Sequence, residues 1–222
     1  MLWDVDYTLV SADGLGTRLY QVVFREMFGR ELTAVAPKAG RTDRAIAADT
    51  LALAGVPEGE LDAFLAALER AAAVGFVPGA VVPLPGAAGA IAALARSAPG
   101  IRQSVLTGNV RPLAELKLRR AGLGEHLDLD AGAYGDTHEV RAALVAVARR
   151  AASRFYRACF DGPATVLVGD TPLDVEAALA TGARVVAVAT GSYTAAELAA
   201  AGAGIVLPDL TDAARVLAAV TA

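Results

Sequence analysis

An alternation along the chain constrains its fold most tightly. Short apolar runs rich in β-branched residues, each bounded by Gly, Pro or Asp, occur at 2–5, 101–107, 127–132, 164–170, 183–189 and 203–210. Between most of them lie Ala/Leu/Arg-rich segments with helical spacing, at 85–98, 110–123 and 171–183. Strands that alternate with helices of ten to fifteen residues build βαβ units, and these require a parallel sheet buried on both faces. The expected fold is an α/β, doubly wound core. The interval from Asp13 to Val77 breaks this rhythm with helical patterns only, at 16–29, 42–55 and 58–75, joined by Gly and Pro turns. It reads as an inserted all-α domain, giving a core of 1–12 and 80–222 and a helical domain of 13–79.

Composition narrows the function. With 55% hydrophobic residues in 222, the chain has ample material for a core. A net charge of -4 argues against nucleic acid or an anionic membrane as partner, so an anionic ligand must be held locally. Cys159 has no partner for an internal disulfide; it reads as a small buried hydrophobe in a reducing compartment. Asp4 and Asp6 interrupt the first apolar run at once, so no signal peptide is expected, and the cytoplasm is the expected location. The uncharged stretch 71–95 is broken by Pro78, Pro83 and Pro85, which suits a linker returning to the core better than a membrane helix. The first strand starts directly after Met1, short for a central strand, which leaves open whether Met1 is the true start.

The chemistry gathers at the strand ends. Asp4 and Asp6 close the first strand two residues apart, in "DVDYTL", and a strand interior disfavours Asp. Residues at i and i+2 of a strand point the same way. Thr107, Gly108 and Asn109, the "TGN" triplet, follow the second core strand, and "GDTPLD" at 169–174 follows the fourth. Ligands of doubly wound sheets bind outside these carboxyl ends. Thr171, Pro172 and Asp174 also read as a helix start, with a hydroxyl N-cap, Pro at the first position and an acid in capping-box spacing; a purely structural Asp174 therefore stays open. Asp170 has no such role. Beside Asp4 and Asp6 it would repel them unless a divalent cation sat among the three, and Mg²⁺ suits such oxygen ligands.

These motifs, in this order and at these positions, resemble the haloacid dehalogenase superfamily, in particular its phosphatases related to phosphoglycolate phosphatase, whose α-helical cap falls where the helical insert lies here. The resemblance implies a Mg²⁺-dependent phosphatase acting on a small phosphorylated metabolite. Asp4 would be the nucleophile that forms an aspartyl-phosphate, and Asp6 the acid and then the base. Mg²⁺ would bind the Asp4 carboxylate, the Asp6 carbonyl and Asp170, with Asp174 supporting, while Thr107, Gly108 and Asn109 would hold the phosphoryl group. The usual Lys-Pro pair after the third strand is absent. Arg141, near the loop at the active edge, is favoured as the phosphoryl-stabilising cation; Lys117, on a helix expected to lead away from the site, is the alternative, with His138 behind both. In the insert, the turn at Gly40 precedes Thr42 and Asp43, which suit a helix start, whereas Arg41 is unexplained there and is assigned to the leaving group. Tyr7 stands where the family has Gly. Trp3 reads as core and His126 as a surface residue. A dehalogenase would have no use for Asp6; a phosphomutase, or a non-catalytic binding module on the same fold, remains as an alternative. Monomer and homodimer are equally compatible.

Overall fold

In a computed structural model, which describes residues 1–12, 14–75 and 79–222, the core is a five-stranded sheet in the order β4-β1-β5-β6-β7, all parallel. The strands are β1 (Leu2–Trp3), β4 (Ser104–Val105), β5 (Val166–Gly169), β6 (Arg184–Val188) and β7 (Val206–Leu207). A separate antiparallel pair, β2 (Val10–Ser11) with β3 (Val82–Pro83), joins the two ends of the helical insert. The insert holds α1 (Leu15–Phe28), α2 (Asp43–Leu53) and α3 (Leu61–Ala73). The remaining helices are α4 (Ala87–Ser97), α5 (Arg111–Arg120), α6 (Arg141–Tyr156), α7 (Pro172–Ala180), α8 (Ala195–Ala200) and α9 (Ala213–Thr221). Of the expected domain boundaries, Asp13 and residues 76–78, including Val77 and Pro78, lie outside the described residues.

Both sheet faces are covered, as near-continuous apolar strands require. Trp3, Val105, Val166, Val168, Val186 and Val188 point to one side, against α4 and α9 through Ile91, Leu94, Val216 and Val220. Leu2, Leu106 and Leu167 point to the other, against Leu144 and Val145 of α6 and Ala177 and Ala178 of α7. Trp3 is fully buried and donates its indole N–H to Gln103 Oε1 at 3.1 Å. The insert has its own core. Leu15, Leu19, Val23 and Phe24 of α1 and Leu61, Phe64, Leu65 and Leu68 of α3 follow helical spacing and bury together with Leu113 of α5.

Two expectations need correction. Residues 127–132 are not a strand: Leu129–Ala131 forms a 3₁₀ turn, and only an isolated bridge between Leu106 and Ala133 continues the sheet there. Asp128 and Asp130 alternate with the leucines, and acidic residues suit a turn better than an edge strand. Cys159 is exposed, not buried. Among the described residues no helix is long and apolar enough to cross a membrane.

The chain enters α4 through Gly86, at φ 83°, where an added Cβ would sit 2.1 Å from the Leu210 carbonyl carbon and oxygen. Both the left-handed backbone and the main-chain contact exclude a side chain. Gly86→Ala should therefore lose about 2–5 kcal/mol of unfolding free energy, read from urea titration; wild-type stability would show that neither constraint operates.

Candidate active site

β1 sits between β4 and β5, so the chain runs from β1 to β4 on one side and then crosses back to β5 on the other. The crevice at such a reversal is where this sheet type receives ligands. Asp4 follows β1, Thr107 follows β4 and Asp170 follows β5. All three border one cavity of about 340 Å³, which also takes Asp6, Tyr7, Gly108, Asn109, Lys117 and Arg141 from the core and Tyr20, Lys38, Gly40, Arg41 and Asp43 from the insert.

The Asp4 N–H still donates to Val168 O at 2.8 Å, and the chain then doubles back, with Leu9 N and Val10 N both donating to Val5 O at 3.0 Å. Within this turn Tyr7 has φ 56°, the left-handed region that favours the Gly expected there. Holding a tyrosine in it costs roughly 1–2 kcal/mol. The Thr190 hydroxyl braces the turn by donating to Tyr7 O at 2.5 Å, and the ring stands half-exposed beside the cavity.

Two buried cations are set among the carboxylates. Arg141, at the start of α6, donates from Nη2 to Asp4 Oδ1 at 2.6 Å, and the same nitrogen lies 2.7 Å from Asp174 Oδ1. Leu106 O and Gly40 O accept from the same guanidinium, each at 3.2 Å. Lys117 does not leave the site, contrary to expectation. Its ammonium donates to Asp6 Oδ1 and Oδ2 at 2.7 and 2.6 Å and to Asn109 Oδ1 at 2.7 Å. Lys117 lies six residues, about 9 Å, into α5, but helical side chains lean toward the N-terminus, and the long lysine stem spans the distance back to the sheet edge. Asn109 completes a polar ring by donating from Nδ2 to Asp6 Oδ2 and to Thr107 Oγ1, both at 2.7 Å. With Asn109 supplying donors to Thr107 Oγ1, the threonine keeps its own proton for an incoming anion.

Asp174 has both structural and electrostatic work. Its Oδ2 accepts from Thr171 N at 3.1 Å and Thr171 Oγ1 at 2.6 Å, closing the capping box of α7, while Oδ1 faces Arg141. Among the described residues, Asp170 accepts a single side-chain hydrogen bond, from Thr8 at 3.3 Å. Ligand oxygens of Asp4, Asp170 and Asp174 lie within 4.8 Å of one another, all buried. Three buried carboxylates against one guanidinium leave negative charge uncompensated, and hard oxygen donors in that arrangement fit Mg²⁺. Burial, then the neighbouring carboxylates Asp4 and Asp174, push Asp170 well above the ordinary carboxylate range. Burial also raises Asp4, with Arg141 opposing it. Asp6 goes the other way: burial works against its charge, but the Lys117 charge and the hydrogen bonds from Lys117 and Asn109 outweigh it.

The insert docks on this edge through main chain. Asp43 N donates to Gly108 O at 2.6 Å and Arg44 N to Gly135 O at 2.8 Å, while Asp43 Oδ2 accepts from Val110 N at 2.7 Å. The approach is so close that a Cβ on Gly108 would meet the Arg41 carbonyl oxygen at 1.9 Å. Thr42 N-caps α2, accepting from Ala45 N at 3.2 Å. Arg41 departs from its expected placement. It borders the cavity, but its guanidinium is tied back to Pro37 O, Ala45 O and Asp49 Oδ2, the last at 2.6 Å. His138 is exposed, hydrogen-bonded to Thr137, and does not line the cavity; His126 is exposed beside Glu125. Sequence reading missed Lys38 and the Tyr20–Asp43 pair, since polar residues in a helical insert look like a solvated surface until their neighbours are known.

The profile of the haloacid dehalogenase-like hydrolase family matches residues 1–179. None of the curated protein sequences matches this chain closely enough to count as a relative. Among solved structures, a hydrolase from Pseudomonas syringae is 19% identical, with a TM-score of 0.64 over 96% of this chain and 95% of that one. CbbY from Rhodobacter sphaeroides, in complex with phosphate, is 23% identical, with a TM-score of 0.64 over 95% and 94%. A HAD family hydrolase from Deinococcus radiodurans, with bound phosphate and sodium, is 26% identical over 99% and 93%, with a TM-score of 0.53. With the family profile covering Asp4 through nearly all of α7, and with both ends of that span meeting in the crevice above β1, this chain belongs to the haloacid dehalogenase-like hydrolases.

Proposed function

We propose that the chain is a Mg²⁺-dependent phosphatase that hydrolyses small phosphate monoesters through an aspartyl-phosphate on Asp4, with α1–α3 acting as a cap. The observation that carries this reading is the gathering of Asp4, Asp6 and Asp170 around one cavity with Thr107, Asn109 and two buried cations beside them. Asp4, Asp170 and the Asp6 carbonyl would hold Mg²⁺, with Asp174 steadying Arg141. When bound, the ion supplies positive charge that keeps Asp4 and Asp170 ionised and offsets their repulsion of a phosphate dianion.

The chain's own residues divide the rest. An Asp4 carboxylate oxygen attacks phosphorus, forming an O–P bond as the bond to the leaving alcohol oxygen breaks. Asp6 gives the departing oxygen its proton and then takes one from the water that attacks the aspartyl-phosphate, which frees Asp4 and releases phosphate. Thr107 donates its hydroxyl proton to a phosphoryl oxygen. All three Lys117 protons are committed to Asp6 and Asn109, so a phosphoryl oxygen that draws on Lys117 loosens its hold on Asp6. That exchange favours a protonated Asp6 as the ester binds. Arg141, pinned by Asp4, Asp174 and two carbonyls, orients the nucleophile. The cation role thus moves toward Lys117, with Arg141 as a positioning residue.

Three results are expected. The purified protein should hydrolyse p-nitrophenyl phosphate with Mg²⁺ and stop with EDTA, and Asp4→Asn should lose several orders of magnitude in kcat; turnover by Asp4→Asn at the wild-type rate excludes the mechanism.

Arg141→Met leaves Asp4 and Asp174 buried without their cationic partner and should destabilise by about 3–5 kcal/mol. Lys117→Met leaves Asp6, whose side chain is 33% exposed, and should destabilise less while losing roughly 10²–10³ in kcat. Thermal melts and kinetics on both variants check this, and the reverse order of melting temperatures contradicts it.

The third result concerns pH. Asp4 and Asp170 have folded pKa values raised above their unfolded ones, so the metal-free protein gains stability from them at low pH. It loses that stability as pH rises from about 4 toward and past neutrality. Mg²⁺ binds the ionised forms, so it should raise the melting temperature more at pH 8 than at pH 5. Equal shifts at both values would place the ion elsewhere.

A further inference from the structure

Tyr7 directly follows Asp6, and its backbone is left-handed at φ 56°, where glycine sits freely and a side chain is disfavoured. The turn is held in that shape on both sides: Tyr7 N donates to Val10 O at 2.7 Å, and the Thr190 hydroxyl donates to Tyr7 O. Strain of this kind persists only where the surroundings impose it, and it gathers where a ligand is gripped. The ring held there is not spent on the core. Tyr7 is 48% exposed, yet it borders the cavity. Buried Asp4, partly exposed Asp6 and half-exposed Tyr7 thus mark successive levels from the cavity floor to its mouth.

The segment after β6 builds the same rim. Gly191 packs so tightly that an added Cβ would stand 1.8 Å from Asp170 Oδ2 and 3.3 Å from Tyr7 Cβ. Two residues on, Tyr193 borders the cavity and packs against the apolar cluster of Val175, Ala187 and Leu198, which makes it a fixed wall. Residues 190–193 lie beyond the 1–179 span of the family match.

From the strained Tyr7 and this neighbouring wall we infer that Tyr7 is a specificity-determining contact whose ring, with Tyr193, receives a flat apolar ring in the alcohol portion of the ester. The inference rests on the phosphatase reading above and names a substrate class for it. An ester whose phosphoryl group sits at Asp4 must bring its alcohol oxygen to Asp6, the acid, and the rest of the alcohol then continues toward the mouth that Tyr7 borders. An aromatic face half open to water gains most when another flat ring covers it. Leu15 and Ile46 add apolar wall from the insert, and a cavity of about 340 Å³ has room for a phosphoryl group and one ring.

The test compares benzyl phosphate with ethyl phosphate on the Mg²⁺-loaded full chain, two esters whose departing alcohols differ little in acidity. The wild type is expected to favour benzyl phosphate by about tenfold or more in kcat/KM, chiefly through KM. Tyr7→Ala should remove most of that preference, and Tyr7→Phe should keep it. Tyr7→Gly should remove it as Tyr7→Ala does but melt at a higher temperature than Tyr7→Ala, because both lack the ring and only glycine relieves the left-handed backbone. No preference in the wild type, a preference that survives Tyr7→Ala, or a Tyr7→Gly protein that melts at or below Tyr7→Ala overturns the inference while leaving the phosphatase reading intact. A wild type that hydrolyses neither these esters nor p-nitrophenyl phosphate overturns both.

Discussion

Four carboxylates, Asp4, Asp6, Asp170 and Asp174, meet at the carboxyl edge of one parallel sheet, and the surrounding structure is arranged around their mutual repulsion. Each is answered differently. Asp174 spends one oxygen on the N-terminus of α7 and the other on Arg141; Asp6 is held by Lys117 and Asn109; Asp4 shares Arg141; Asp170, among the described residues, has only Thr8. The imbalance is therefore concentrated at Asp4 and Asp170, the two of the four that their surroundings push above the ordinary carboxylate range. A metal ion placed there would relieve that repulsion. The same ion would lower Asp4, which the metal-free surroundings raise while they hold Asp6 low, toward the ionised state that the proposed nucleophile needs.

The docking of the insert belongs to the same economy. Asp43 and Arg44 bind the core by main-chain hydrogen bonds to Gly108 and Gly135, and the lack of a Cβ at Gly108 lets the Arg41 carbonyl approach the loop that carries Thr107 and Asn109. Closing this contact covers the site, lowers the local dielectric and strengthens each charge interaction within it. It also brings insert residues, Lys38 and Tyr20 among them, against the core residues that form the other side of the cavity.

Much of this was legible in the residues. An acidic side chain at the end of a buried strand is anomalous wherever it occurs, so Asp4, Asp6 and Asp170 announced themselves, and the Thr171–Asp174 capping box follows from spacing alone. The doubly wound sheet was legible because strands buried on both faces leave continuous apolar runs. The cations were harder to read. Whether Lys117 reaches the site depends on the direction of α5 and the lean of its side chains, and whether Arg41 faces a ligand depends on an ion pair with Asp49 inside the insert. Lys38 carries no signal in sequence, since its place at the cavity depends on how the insert folds over the core. The run 127–132 failed as a strand because Asp128 and Asp130 outweighed their apolar neighbours at a sheet edge.

The central claim is that Asp4 carries the phosphoryl group covalently between two steps. Acid-quenching the protein during turnover of a ³²P-labelled ester, reducing any acyl phosphate with borohydride and mapping the product by peptide mass spectrometry tests it directly. The account predicts one modified residue, Asp4, converted to homoserine, at a level that falls as substrate is exhausted. Turnover with no trapped intermediate, or with modification at Asp6 or Asp170 in its place, would contradict it.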